Sequence, residues 1–108
     1  MNKLKTACLF LFFLCFVQVS FAQSMEQGKK FLYYERYQSA RDLFKQIVDK
    51  EPLNEVAIYY LGQAYIGLED YADAKKLYLE KLAASPNSPL VLAGVGHVEL
   101  IEGKSADA

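Results

Sequence analysis

Residues 55–88 read EVAIYYLGQAYIGLEDYADAKKLYLEKLAASPNS, and the preceding 34 residues, 21–54, read FAQSMEQGKKFLYYERYQSARDLFKQIVDKEPLN. Laid over one another, the two stretches carry one side-chain pattern. Gly28 recurs as Gly62, Phe31 as Tyr65, Tyr37 as Tyr71 and Ala40 as Ala74. Leu43 recurs as Leu77, Phe44 as Tyr78 and Pro52 as Pro86. Glycine, aromatic, alanine, aromatic and proline held at one period mark a repeat architecture, in which each unit buries its apolar face against the next.

The periodicity within each unit is helical. Tyr37, Ala40, Leu43, Phe44, Ile47 and Val48 fall on one face at three-and-four spacing, with Arg41, Asp42, Lys45 and Asp49 opposite, so Tyr37 to about Lys50 is an amphipathic helix. Glu55 to Leu68 is apolar nearly all round and is expected to be covered on several sides. Tyr71 to Ala84 is again amphipathic. Asn54 can cap the Glu55–Leu68 helix through its side-chain oxygen, and Ser88-Pro89 opens a further helix with serine as cap and proline in the first turn. Gln23 to Tyr34 reads as a helix, Glu35-Arg36 and Glu69-Asp70 as turns, and the segment from Pro89 as a helix to about Glu102. Gly103-Lys104 is expected to be the next turn, with Ser105 to Ala108 opening another helix. No period-two strand pattern is present after residue 22, so the class is all-α.

The first 22 residues have a different logic. Lys3 and Lys5 precede an apolar run from Ala7 to Val19, and Ser20-Phe21-Ala22 places small residues one and three positions before a cut. This is the layout of a secretory signal peptide, expected to be cleaved between Ala22 and Gln23. The run is shorter than the about 20 apolar residues of a membrane span. Bulky Leu14 before Cys15 argues against a lipid anchor there. Cleavage would remove Cys8 and Cys15, the only two cysteines, and leave no internal disulfide. It would also remove two of the 12 Lys+Arg and none of the 13 Asp+Glu, leaving a mildly acidic chain. With no basic run, nothing resembles an electrostatic footprint for nucleic acid.

These residues resemble the tetratricopeptide repeat (TPR) family of helical hairpins. The central copy is the fullest match, with Ile58, Leu61, Gly62 and Tyr65 in the first helix and Ala74, Tyr78 and Pro86 in the second helix and its exit. The first copy departs at Ser24 and Gln27, and the third at Glu99 and Ser105. The resemblance implies a right-handed solenoid of about two and a half units: signal peptide 1–22, then a repeat domain 23–108 with units 21–54, 55–88 and a partial 89–108. It further implies a fragment of a longer repeat protein.

Catalytic, cofactor and metal motifs are not found. Gly103-Lys104-Ser105 resembles the end of a phosphate-binding loop, but Val98 stands where that motif needs its first glycine. Gly94-Val95-Gly96 would place the third glycine of a dinucleotide fingerprint on Glu99; Gly96 is read instead as the packing equivalent of Gly62. His97, the only histidine, has neither a zinc ligand set nor a nucleophile partner.

The resemblance implies a non-enzymatic scaffold that holds a protein or peptide on its concave face. The inward positions correspond to Lys29, Tyr33, Tyr59, Gln63, Ile66, His97 and Ile101. The carboxylate grip of some family members would fall on Met25, Lys29, Tyr60, Leu90 and Gly94, only one of which is cationic, so that grip is not expected. The export signal implies a bacterial envelope protein, periplasmic or secreted, not inserted in the membrane once the signal is removed. The alternatives are an accessory domain of a longer enzyme or secretion component, and self-association through an uncovered last helix.

Overall fold

The computed structural model describes the backbone of residues 2–107 and the side chains of residues 2–12 and 22–104. Cys15, most of the Ser20-Phe21-Ala22 motif and Ala108 lie outside the described side chains. Among the described residues there are five helices and no strand: α1 (Asn2–Tyr33), α2 (Tyr37–Lys50), α3 (Glu55–Gly67), α4 (Tyr71–Ala84) and α5 (Pro89–Asp107). Consecutive helices pack on one another, and α3 also touches α1 and α5. That central position explains why so much of α3 is apolar: α1, α2, α4 and α5 all pack against it. Residues 23–33 continue without a break from the residues before them, so α1 is one long helix rather than a short one starting at residue 23. Among the described residues no helix is long and apolar enough to cross a membrane.

The core runs through α2 to α5. Ala40, Phe44, Ile47 and Val48 of α2 meet Ala57, Ile58, Leu61 and Ala64 of α3, Ala74 and Tyr78 of α4, and Val91 and Val98 of α5. The repeated glycine and aromatic are partners in space. A Cβ on Gly28 would collide with the ring of Phe44, and one on Gly62 with Tyr78, so each glycine lets its paired helix seat an aromatic against the backbone. The pairs are 16 residues apart in both units, and one turn before each aromatic the alanine (Ala40, Ala74) is wholly buried.

The third unit departs from this scheme. Gly96 meets nothing within 4 Å. The close-packed glycine of α5 is Gly94, which also abuts the Tyr78 ring. The expectation that Gly96 packs like Gly62 is therefore corrected: α5 turns Gly94 toward α4, and no described helix stands where α4 stands on α3. Leu92 and Leu100 are left exposed on the same helix.

The turns repeat as faithfully as the core. Glu35 and Glu69 adopt left-handed backbone, with φ of 58° and 61°. Around them Arg36 N–H donates to Phe31 O at 2.7 Å and Asp70 N–H to Tyr65 O at 2.8 Å. This six-to-one closure with a left-handed residue inside it satisfies orphan carbonyls at a helix end. The next residue in this register is Gly103, which lacks a Cβ and is the residue best suited to that backbone. The expected turn at Gly103-Lys104 is nonetheless absent, and α5 continues to Asp107. At the two earlier positions the reversed chain is held by α2 and α4 packing back on α1 and α3; no described helix holds it at Gly103, and local helix bonding prevails.

Helix entries follow their caps. Asn54 Oδ1 accepts from Ala57 N–H at 3.1 Å, while its amide nitrogen donates to Glu51 at 2.8 Å and so orients the cap. Ser88 Oγ accepts from Val91 N–H at 3.3 Å at the start of α5.

Candidate functional site

The first helices of the units, α1, α3 and α5, lie side by side, so residues 34 apart come to the same height on neighbouring helices. Two depressions lie along this array. One, of about 380 Å³, is lined by Leu32, Tyr59, Tyr60, Gln63 and Ile66, with Tyr37 and Gly67 at its end. The other, of about 790 Å³ and open to solvent, runs along α5 past Ala93, Gly96, His97 and Leu100.

Tyr59, Gln63 and Ile66, one helical turn apart on α3, share the first depression. Tyr59 is half-buried with its ring edge-on to Tyr60 at 5.7 Å, and Tyr60 in turn stacks on Phe44 at 5.4 Å. The aromatic wall is thus anchored on the core. Lys29 Nζ lies 5.8 Å above the Tyr60 ring and 3.3 Å from Glu26, placing the cation at the rim of the same groove. A cation over an aromatic face at this distance is attracted by the ring quadrupole.

Gln63 and His97, equivalent positions of successive units, are bonded: Gln63 Nε2 lies 3.2 Å from His97 Nδ1. The same nitrogen donates to Tyr78 Oη at 3.3 Å, and Tyr78 Oη donates to the Tyr59 carbonyl at 2.6 Å. Burial raises the Tyr78 phenol well above its ordinary value, and the Gln63 bond opposes that shift in part. Tyr65 is raised as well, by burial first and then by Asp73.

The remaining two sequence-selected residues lie apart. Tyr33 is 81% exposed at the end of α1, edge-on to Tyr34 at 5.1 Å. Ile101 is half-buried and holds the register of Gly67, whose position faces Tyr37 of α2. The residues in register with Ile66 are Leu32 and Leu100, and these line the depressions. Stepping Ile66 by 34 in each direction would have selected both from sequence. Tyr60 carries no such signal, because Glu26 and Gly94 hold its register. Among the described residues no three His, Cys, Asp or Glu side chains gather as metal ligands.

A comparison with curated proteins returns no match. A family model described as tetratricopeptide repeat matches residues 31–97, which run from the end of α1 through the paired helices to His97. The match spans more than half of the chain and includes both repeated turns and the Gly62–Tyr78 socket described above. The chain belongs to the tetratricopeptide repeat family.

Proposed function

We propose that this chain is a non-enzymatic scaffold of the bacterial cell envelope that holds a protein or peptide on the face formed by α1, α3 and α5. Repeats of this family are typically non-catalytic modules of protein interaction, and the finer reading rests on one observation. The groove of Leu32, Tyr59, Tyr60 and Ile66 leaves apolar and aromatic surface uncovered beside Lys29 and Gln63. An aromatic wall with a few directional polar groups at its edge suits a polypeptide, because tyrosine presents a rigid apolar body and a polar tip.

Tyr59→Ala combined with Gln63→Ala is expected to abolish capture of the partner while helical circular dichroism is kept. Undiminished capture by that variant would sink the assignment of this face. Export is supported by the leader's character: Leu4, Leu9, Phe10, Leu11 and Phe12 are exposed and take no part in the core. Intact mass of the exported protein tests it, with loss of residues 1–22 expected. Exposed Leu92 and Leu100 beside bare Gly96 favour a second mode, self-association through α5, which light scattering against concentration would reveal.

A further inference from the structure

The polar tips of the groove have their orientation dictated by a chain of four groups that begins on the main chain. The Tyr59 carbonyl can only accept a hydrogen bond. Tyr78 Oη lies 2.6 Å from it, so the single phenol proton points there and the Tyr78 oxygen is left as an acceptor toward its other neighbour. The Gln63 group 3.3 Å away is therefore the amide NH₂ and not the amide oxygen. That same nitrogen stands 3.2 Å from His97 Nδ1, which has to accept and so carries no proton. A neutral imidazole with a bare Nδ1 holds its proton on Nε2.

Both hydrogens of the Gln63 amide are thereby committed inside the protein, one to Tyr78 and one to His97. Two groups are left over, the acceptor Gln63 Oε1 and the donor His97 Nε2–H. Among the described residues neither has a hydrogen-bond partner, and no side-chain nitrogen or oxygen is buried without one, so both atoms reach solvent. An acceptor and a donor side by side, on residues that hold the same register in adjacent units, match the N–H and C=O of a polypeptide main chain.

We propose that Gln63 and His97 form a paired main-chain site, Gln63 Oε1 accepting a peptide N–H and His97 Nε2–H donating to a neighbouring peptide C=O. The proposal rests on the reading that this face holds a polypeptide, and it adds what is read there: backbone, not a terminal carboxylate or a phosphate. An anion would place its own oxygens against Gln63 Oε1, two acceptors with no proton between them. Tyr59 and Ile66, on the same face of α3, would receive the apolar side chains of the segment so held. Tyr78 acts as a positioning residue, since it never touches the peptide but prevents the Gln63 amide from flipping.

The test uses the full chain with ¹⁵N in its side chains. His97 is the only histidine, so its ring nitrogens give an unambiguous long-range ¹⁵N–¹H pattern. The Nε2–H tautomer is expected at neutral pH, and an Nδ1–H tautomer overturns the proposal without any variant being made. The probe is acetyl-Ala-Tyr-Ala-N-methylamide, blocked at both ends and added to about 20 mM so that millimolar binding is visible. It is expected to shift the Gln63 side-chain and His97 ring signals together, whereas acetate and inorganic phosphate at the same concentration leave them in place. Tyr78→Phe, which leaves Gln63 and His97 in the groove, is expected to mix the His97 tautomers and weaken the peptide about threefold to tenfold, the worth of one oriented hydrogen bond. Peptide shifts confined to Tyr59 and Ile66 overturn the main-chain site and leave the groove assignment standing. Absence of shifts anywhere on α1, α3 and α5 overturns both.

Discussion

The glycine sockets permit one chemical change, glycine to alanine, to be made at two equivalent positions with opposite expected outcomes. In Gly62→Ala the new methyl would fall inside the ring and hydroxyl of Tyr78. That ring is wholly buried, abuts Gly94 as well, and is tied to the Tyr59 carbonyl. It cannot retreat without losing core contacts or that bond. Overpacking of this kind costs about 1–3 kcal/mol, and a broken Tyr78 bond about 1 kcal/mol more. Against this stands the helix preference for alanine, about 1 kcal/mol. The net expectation is a loss of about 1–3 kcal/mol. In Gly96→Ala the methyl meets nothing within 4 Å, so only the helix preference remains, a gain of up to about 1 kcal/mol. The two variants should differ by at least about 2 kcal/mol. With an m-value of about 2 kcal/mol/M, that separates their urea midpoints by about 1 M, followed by circular dichroism of the helices. Coincident midpoints, or a Gly62→Ala variant at least as stable as the parent, would refute the socket assignment.

Three other outcomes follow from the same structure. Asn54→Ala removes the cap on Ala57 and the oriented contact with Glu51, and should lower stability by about 1 kcal/mol in the same urea assay; no change would mean that water replaces the cap fully. Glu69→Gly relieves a left-handed backbone that side chains disfavour, and should raise the melting temperature, by a gain of up to about 1 kcal/mol; a drop would show that the Glu69 side chain stabilises the turn. Stability should fall in alkali, because burial keeps Tyr78 protonated in the fold while the unfolded chain releases that proton from about pH 10 upward, so the unfolded state binds fewer protons there. Tyr78→Phe should flatten that alkaline slope, and a slope as steep in the variant would assign it to other groups.

The fold was legible in the sequence because the repeat writes each contact twice. Gly28 with Phe44 and Gly62 with Tyr78 keep the same spacing, and a spacing that recurs points to a packing requirement rather than chance. The hairpin turns were legible for the same reason. The face that gathers Tyr59, Gln63 and Ile66 could be named from the helical period, since side chains three and four apart share a side of α3.

Other features depended on which neighbours are present. Gly96 has the sequence register of Gly62 but, among the described residues, no helix opposite it, and Gly103 has the register of Glu69 but no chain reversal, because local propensity yields to tertiary contact only where the contact exists. The same limit applies to the groove. Residue types alone could list Gln63 and His97 as polar, but which atoms of each remain for a partner is decided by a main-chain carbonyl at Tyr59 and a phenol at Tyr78. Helix periodicity and repeat spacing are local, one-dimensional properties that sequence alone determines. The direction of a hydrogen bond depends on every group within reach in three dimensions, and only the packed helices supply those groups.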